Sequence, residues 1–350
     1  MPFAFCLLPF AFCLLPFAFC LPAMLLSSYP LSPANNERIA GVAGLLGLRF
    51  VPSLHGEERD AVIAQIDEHV AEATIYLGGS LSQQQLDQAE ELRWIQVPWA
   101  GVNRLMALDL SARPDLLLTN SPVMADAVAD QTLAYLLMLN RSLPQQIVHQ
   151  TKSEWVRYRT VEHPDRRRLR GMTLGILGYG SIGRAIAARA RAFGMRIVAC
   201  KNRVDDGVEW LDRVYPADER DAMLAESDFV VIALPLTDET RRSFARRAFR
   251  AMKPTACLVN IARGAIVDQG ALVAALESGE IAGAALDAHD PEPLPVDSVL
   301  WKMPGVIVTP HSSGGFVGFG DEVATLFCEN LRRFGQGDPL LNRVDRERGY

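Results

Sequence analysis

The sequence is poor in lysine and has no excess of positive charge. Only four of its 35 basic residues are Lys, the acidic residues number 41, and the formal net charge is −6 at pH 7. Non-specific binding of nucleic acid requires a basic face, so we expect no nucleic-acid partner. Charged residues make up only 22% of the chain and hydrophobic residues 49%, which excludes an intrinsically disordered protein.

Cysteine is also scarce. Three of the six cysteines belong to an N-terminal repeat, and the other three, Cys200, Cys257 and Cys328, are scattered. No Cys pair or Cys/His spacing suits zinc, so the sequence predicts neither a metal site nor a disulfide framework. Such cysteine usage fits a reducing compartment, and we expect a cytoplasmic protein.

The N-terminal segment carries no charge before Glu37. Residues 2–22 read PFAFCLL, PFAFCLL, PFAFCLP. The segment lacks the basic start and the cleavage site of a signal peptide, and its regularly spaced prolines interrupt any membrane-spanning helix. We interpret residues 1–23 as a non-structural extension, with the fold beginning at Met24, and expect no membrane partner. A membrane anchor or an export signal is the alternative.

Apolar runs alternate with helical stretches from Met24 onward. Strands are predicted at 24–28, 48–52, 73–77, 93–98 and 116–120, and helices near 34–46, 57–70 and 82–91. A second series of strands is predicted at 173–177, 196–200, 229–233, 256–260, 283–286 and 306–309. This alternation is typical of parallel sheets with helices on both faces. A long apolar helix over 126–141 is either a core helix or an interdomain or subunit contact.

A glycine fingerprint links the strand at 173–177 to a helix predicted over 184–193. It consists of Gly178, Tyr179, Gly180, Ser181, Ile182 and Gly183. The first glycine permits a tight turn, the second lets the backbone approach a pyrophosphate, and the third allows close packing of helix on strand. The free N–H groups at the helix N-terminus suit phosphate. The fingerprint therefore predicts a dinucleotide site.

The residues after the next strand bear on the choice between NAD and NADP. Lys201, Asn202 and Arg203 follow that strand, and no acidic residue appears before Asp205. An NAD site usually places a carboxylate here for the ribose 2′-hydroxyl, whereas basic side chains suit a 2′-phosphate. We therefore favour NADP over NAD. The alternative is a pair of solvated basic residues beside a site without preference.

Further motifs follow in a fixed order along the chain. They are WAGVN (99–103), PLTDET (235–240), NIARGAIVD (260–268), GAALD (283–287), PEPL (291–294) and TPH (309–311). Together with the glycine fingerprint, they resemble the D-isomer-specific 2-hydroxyacid dehydrogenase family, and in particular its glyoxylate and hydroxypyruvate reductases. The resemblance extends from about residue 24 to the end of the chain.

The resemblance implies a catalytic set of Arg263, Glu292 and His311. The chemistry of these side chains fits a 2-oxo acid. Arginine is always charged and can hold the carboxylate and polarise the carbonyl. Histidine titrates near neutral pH, so His311 can give a proton to the new alkoxide. A nearby carboxylate favours imidazolium, which gives Glu292 a role in orienting His311 and raising its pKa.

The resemblance also assigns binding residues. The substrate carboxylate is expected at the backbone N–H groups of Ala100 and Gly101, with Arg263 and His311 completing the substrate site. Further cofactor contacts are expected at Leu234, Pro235, Thr240, Ile261, Ala262, Asp287 and Gly314. Trp99 and Trp155 are candidate pocket walls, although ordinary packing is the better interpretation of each. We interpret His289 as a local departure from the usual apolar or aromatic residue.

These observations predict an α/β protein of two doubly wound domains, with a Rossmann cofactor domain inserted in a flavodoxin-like substrate domain. The substrate domain would comprise 24–121 plus 312–350 and the cofactor domain 122–311, with the active site in the cleft between them. The expected activity is NAD(P)H-dependent interconversion of a small 2-oxo acid and its D-2-hydroxy acid, with a homodimer implied by the resemblance. The alternative is a dinucleotide-sensing, corepressor-like interaction protein with little turnover.

Overall fold

The computed structural model of the protein describes residues 23–54, 59–157, 168–201 and 208–349. The chain forms two compact units. The first comprises Met1–Ser121 and Gly318–Arg348, and the second Pro122–Val317 and Gly349–Tyr350. Residues 312–317 therefore group with the second unit, whereas we had assigned them to the first. The physical reason is that the backbone N–H groups of Ser312 and Ser313 bond to Asp287 within that unit.

Two predicted features lie outside the described residues, namely the repeat at 2–22 and the cofactor candidates Asn202 and Arg203. Ala23, the last residue of the predicted extension 1–23, lies within the described part of the chain. It is buried, and its carbonyl accepts a hydrogen bond from the backbone N–H of Arg49. Within the described ranges, no helix has both the length and the apolar character needed to cross a bilayer.

The first unit is built on a parallel sheet of five strands in the order β2-β1-β3-β4-β5, which is the flavodoxin-like order. The strands are β1 (Met24–Ser27), β2 (Arg49–Val51), β3 (Ala73–Leu77), β4 (Trp94–Gln96) and β5 (Leu117–Thr119). The helices between them are α1 (Pro33–Leu45), α2 (Arg59–His69), α3 (Gln83–Gln88) and α4 (Asn103–Met106). Strands β1, β3 and β4 are buried along their whole length, as expected for a sheet covered on both faces.

Local sequence explains where the helices of this unit begin. Ser32 accepts a hydrogen bond from the backbone N–H of Asn35, and Pro33 occupies the first turn of α1. Ser82 and Gln85 form a capping box at the start of α3.

The second unit contains a parallel sheet of seven strands in the order β12-β11-β10-β9-β6-β7-β8. Six of these strands have the order of a Rossmann fold, and β12 extends one edge. The strands are β6 (Thr173–Leu177), β7 (Arg196–Cys200), β8 (Arg213–Tyr215), β9 (Phe229–Ile232), β10 (Cys257–Asn260), β11 (Gly283–Leu286) and β12 (Val306–Val308). The helices are α5 (Ala125–Asn140), α6 (Leu143–Thr151), α7 (Ser181–Ala192), α8 (Arg220–Glu226), α9 (Arg246–Ala251) and α10 (Gln269–Glu277).

Helix α5 lies in the core of the second unit. Val128, Leu133 and Leu136 are buried in the cluster that also contains the inner face of α7. Arg189 of α7 contacts Asp126 and Asp130 of α5 at 2.9 and 2.5 Å. The interpretation of this segment as a core helix therefore holds.

The chain returns to the first unit with α11 (Phe319–Gln336). The ring of Phe327 stacks on Trp94 with centroids 5.2 Å apart. The buried Asn330 donates to Gln96 Oε1 at 2.9 Å and to the carbonyl of Leu341 at 3.1 Å. These bonds satisfy buried polar groups that would otherwise destabilise the core, and they join α11 to the sheet.

Candidate active site

The described site candidates of the second unit share one edge of its sheet. Each follows the carboxyl end of a strand or lies in the loop that leaves it: the fingerprint after β6, Lys201 after β7, Leu234, Pro235 and Thr240 after β9, Ile261, Ala262 and Arg263 after β10, Asp287 and Glu292 after β11, and His311 and Gly314 after β12. Parallel strands bring their carboxyl ends to the same edge, where ligands bind in open α/β sheets. The topology therefore gathers residues that are scattered over more than a hundred positions of the sequence.

The glycine fingerprint forms a turn in which two positions have no room for a side chain, because neighbouring backbone atoms lie too close. Gly178 has φ of +92°, and a Cβ there would lie 2.6 Å from the carbonyl oxygen of Ala233. A Cβ on Gly183 would lie 2.5 Å from the carbonyl oxygen of Gly178. Helix α7 begins at Ser181, not at 184 as predicted, because Gly180 is its N-cap and Gly183 lies in its first turn.

Gly180 differs from the other two glycines. It is exposed, and a Cβ there would meet nothing within 4 Å. The chain therefore leaves open the space in which a pyrophosphate would approach the N–H groups of the first turn of α7. The fingerprint as folded fits a nicotinamide dinucleotide.

Lys201 stands beside this turn. Its backbone N–H donates to the carbonyl of Tyr215 at 3.1 Å, and its Nζ lies 6.0 Å from the ring centroid of Tyr179. The hydroxyl of Tyr179 donates to the carbonyl of Glu209, which holds the ring in place. Lys201 thus occupies the position at the end of β7 where a dinucleotide domain contacts the adenosine ribose.

Two further turns are ordered by side-chain hydrogen bonds. Thr240 Oγ1 donates to the carbonyl of Pro235 at 2.6 Å and accepts from the backbone N–H of Thr237 at 2.8 Å. In the next turn, Asn260 Oδ1 accepts from the N–H of Ala262 at 3.1 Å. Both turns carry predicted cofactor residues and are held independently of any ligand.

Arg263 is held in an extended conformation, with φ of −139°. Its carbonyl accepts from Asn260 Nδ2 at 3.1 Å, and its Nη1 donates to the carbonyl of Ala262 at 2.8 Å. The side chain is half-buried. A guanidinium presents its N–H groups as a planar fork, a geometry that suits a bidentate contact with a carboxylate.

Glu292 and His311 are in direct contact. His311 Nδ1 lies 3.0 Å from both carboxylate oxygens of Glu292, and Glu292 Oε1 also accepts from the backbone N–H of His289 at 2.9 Å. Burial favours a higher pKa for Glu292, but the hydrogen bonds from His289 and His311 outweigh it and lower that pKa. The carboxylate therefore stays ionised and available to the imidazole.

Asp287 organises the loop that carries His311. The carboxylate is buried and accepts from Thr309 Oγ1 at 2.7 Å and from the backbone N–H groups of Ser312 and Ser313 at 3.0 Å each. Burial favours a higher pKa for Asp287, but these hydrogen bonds lower it. His311 itself has φ of +53°, an uncommon conformation for a residue other than glycine, which the surrounding bonds help to hold.

The predicted substrate residues Ala100 and Gly101 belong to the first unit and follow β4. The carbonyl of Ala100 accepts from Asn120 Nδ2 at 2.7 Å. Trp99 packs edge-on against Tyr29, with centroids 6.5 Å apart, which agrees with the packing interpretation. For Trp155 that interpretation is wrong, because the residue is 92% exposed. Trp155 lies in the charged stretch after α6, and helix α6 itself has no buried residue.

Two residues near the site, Tyr135 and His289, were given no role from the sequence. The hydroxyl of Tyr135 lies 2.6 Å from Thr309 Oγ1, and His289 Nε2 lies 3.0 Å from the carbonyl of Thr309. A tyrosine within the mostly apolar helix α5 was the available signal for Tyr135. His289 was noticed only as an unusual residue for its position.

Comparison with known proteins defines the family. Residues 133–313 match the sequence profile described as "D-isomer specific 2-hydroxyacid dehydrogenase, NAD binding domain". A glyoxylate reductase of Aeropyrum pernix is 39% identical over 267 residues, covering 75% of this chain and 79% of the relative. A crystal structure of a D-isomer specific 2-hydroxyacid dehydrogenase family protein from Aeromonas salmonicida is 33% identical, with a TM-score of 0.77, covering 93% of this chain and 99% of that one.

A second solved structure carries a cofactor. It is a D-isomer specific 2-hydroxyacid dehydrogenase from Xanthobacter autotrophicus in complex with NADPH and MES, 28% identical, with a TM-score of 0.77, covering 94% of this chain and all of that one. The chain belongs to the D-isomer-specific 2-hydroxyacid dehydrogenase family. It is an NAD(P)-dependent oxidoreductase that interconverts a 2-oxo acid and its 2-hydroxy acid. The alternative of a sensor with little turnover gains no support from these relatives.

Proposed function

We propose that the protein is an NADPH-dependent reductase of a small 2-oxo acid, of the glyoxylate or hydroxypyruvate type, that yields the D-hydroxy acid. The observation that carries the proposal is the contact of His311 Nδ1 with Glu292 at 3.0 Å, at the same sheet edge as the glycine fingerprint. The glyoxylate reductase of Aeropyrum pernix supports the choice of substrate class.

The proposed chemistry follows from the orientation of the imidazole. The bound nicotinamide supplies a hydride to the carbonyl carbon of the substrate. Because Nδ1 of His311 faces a carboxylate, it carries a hydrogen, which leaves Nε2 to give the proton to the substrate oxygen. Arg263 holds the substrate carboxylate and polarises the carbonyl, and the N–H groups of Ala100 and Gly101 provide further donors to the carboxylate.

The preference for NADP rests on Lys201. A lysine at the end of β7 offers a positive charge to a 2′-phosphate, and Arg203 adds a second one in the sequence. The structure of the Xanthobacter autotrophicus relative with NADPH supports this preference.

A cytoplasmic homodimer completes the proposal. Leu143, Ile147 and Val148 of α6 are 38%, 48% and 50% exposed, an apolar face that a second copy of the chain could cover. Analytical ultracentrifugation should give twice the mass of one chain, and Ile147→Glu should return the mass to that of one chain without unfolding it.

The proposed function is tested with a panel of substrates. The protein is incubated with NADPH or NADH and with glyoxylate, hydroxypyruvate, pyruvate or phenylpyruvate, and loss of the reduced cofactor is followed by absorbance. Fast turnover of glyoxylate or hydroxypyruvate with NADPH supports the proposal. Preference for NADH would overturn the assignment of Lys201, and cofactor binding without turnover of any acid would favour the sensor.

A further inference from the structure

His289 contacts Glu292 and the segment that carries His311, the two members of the candidate acid–base pair. Its backbone N–H donates to Glu292 Oε1 at 2.9 Å, and its ring Nε2 lies 3.0 Å from the carbonyl oxygen of Thr309, two residues before His311. A carbonyl oxygen only accepts hydrogen bonds, so Nε2 of His289 carries the hydrogen and donates. One residue thereby fixes the position of the carboxylate and of the segment that carries the imidazole.

Among the described residues, the ring of His289 makes one hydrogen bond, from Nε2 to the carbonyl oxygen of Thr309. The residue is only 8% exposed, and its Nδ1 is buried without a hydrogen-bond partner in the part of the chain that the structure describes. A buried polar atom without a partner costs free energy, and an apolar side chain of the same shape avoids that cost. Among the described residues, only the bond from Nε2 to Thr309 offsets the cost of burying Nδ1.

The backbone of His289 is itself fixed. A Cβ on Gly264 would lie 1.9 Å from the carbonyl carbon of His289, so the turn after Arg263 packs directly against this residue. His289 therefore stands where the turn that follows Arg263 and the loops of Glu292 and His311 meet.

We propose that His289 is a positioning residue of the reaction, which holds His311 in register with Glu292 through the carbonyl of Thr309. This inference rests on the proposed function, because it assigns His289 a task in the reaction of that site. Catalysis is sensitive to a displacement of about 1 Å in the reacting groups, so loss of the hydrogen bond from Nε2 should slow the proton transfer more than it weakens binding.

Three substitutions separate the ring anchor from packing. His289→Phe keeps an aromatic ring and removes the donor. His289→Gln places an amide donor close to the position of Nε2, and His289→Asn carries the same group on a chain too short to reach Thr309. A small cavity beside His289, lined in part by Asn260, Gln269 and Leu272, gives the new side chains room. The backbone N–H to Glu292 is unchanged in all three.

The kinetic readout is the split between kcat and KM together with the solvent deuterium isotope effect, measured with NADPH and the best acid of the panel. Loss of the anchor in His289→Phe and His289→Asn should lower kcat about tenfold, the effect of one hydrogen bond to a buried acceptor, with KM changed less than about twofold. The isotope effect on kcat should rise in both, because proton transfer becomes slower. His289→Gln should restore both quantities.

A second readout does not depend on turnover. Nitrogen-15 spectra of the histidine side chains in the cofactor-free protein report the ring of His311, identified by its loss in His311→Ala. The nitrogen-15 chemical shifts of the His311 ring should change in His289→Phe and His289→Asn. In His289→Gln they should equal those of the unmodified protein. His149→Phe is the matched control, because it removes an exposed histidine that pairs with Glu154 at 2.8 Å, and it should leave the His311 signals in place.

The outcomes separate the two proposals. Unchanged His311 signals and unchanged kcat in His289→Phe and His289→Asn would overturn the role of His289. Equal losses in all three variants, with a lower melting temperature and no change in isotope effect, would reduce His289 to a packing residue and overturn it also. If no acid is turned over, the proposed function fails, while the His311 spectra still decide whether His289 holds that ring.

Discussion

Nδ1 of His311 lies 3.0 Å from each of the two carboxylate oxygens of Glu292, so both contacts of the pair are made through the same ring nitrogen. The other nitrogen, Nε2, is left for a substrate. This division fixes the tautomer of the imidazole and makes the carboxylate an orienting group as well as a counter-charge.

Substitution Glu292→Gln should lower kcat by about tenfold to a hundredfold, because the amide keeps the shape of the side chain but removes the charge that favours imidazolium. Steady-state kinetics with NADPH and glyoxylate or hydroxypyruvate measure this loss.

Glu154→Gln is the matched control for that experiment. Glu154 pairs with His149 at 2.8 Å on an exposed part of the chain, so its substitution should leave kcat unchanged. A kcat of Glu292→Gln equal to that of the unmodified protein would contradict the orienting role of Glu292.

Asp287 should make stability depend on pH in the acid range. Hydrogen bonds hold its pKa below the ordinary 3.8 in the folded state despite burial, so its contribution is complete above that value and is lost as the pH falls through the folded-state pKa. Asp287→Asn should therefore cost about 1–3 kcal/mol at neutral pH. The difference in unfolding free energy should shrink below pH 3.8, as urea titrations can measure. A difference that stays constant down to pH 3 would refute this account.

Two glycines of the fingerprint should respond differently to alanine. A Cβ at Gly180 meets nothing within 4 Å, so Gly180→Ala should change the unfolding free energy by less than about 1 kcal/mol. The same substitution should weaken binding of NADPH, because the methyl group fills the approach to the helix N-terminus. Gly183→Ala is the comparison, since its Cβ would lie 2.5 Å from a backbone oxygen and should destabilise the fold. Thermal unfolding and fluorescence titration separate the two effects, and equal melting temperatures would be inconsistent with this packing.

Lys201 should discriminate between the two cofactors. Lys201→Ala removes one charge from the proposed 2′-phosphate contact and should raise KM for NADPH about tenfold, with KM for NADH little changed. Lys302 is exposed and offers the control Lys302→Ala, which should alter neither value. A parallel rise of both KM values in Lys201→Ala would argue against a phosphate contact.

Most strands could be predicted because buried parallel strands form continuous apolar runs. Strand β8 was missed because Arg213–Tyr215 is a three-residue edge strand with a charged first residue. The start of α7 was placed three residues late, because the fingerprint glycines resemble a loop although Gly183 lies within the helix.

The candidate site could be predicted only in part, for a physical reason. Arg263, Glu292 and His311 stand in motifs of local sequence, but the support of Asp287 for the His311 loop uses backbone N–H groups 25 and 26 residues away. No side-chain pattern reports such bonds. The ring of His289 likewise acquires its partner only when β11 and β12 pair and bring their following loops together.

The most direct test of the central claim is the rate of NADPH oxidation by glyoxylate or hydroxypyruvate in the full chain, measured beside His311→Ala. The account predicts turnover by the unmodified protein and a loss of at least about a hundredfold in kcat for the variant, with NADPH still bound. Turnover by His311→Ala at a rate close to that of the unmodified protein would contradict the assignment of His311 as the proton donor.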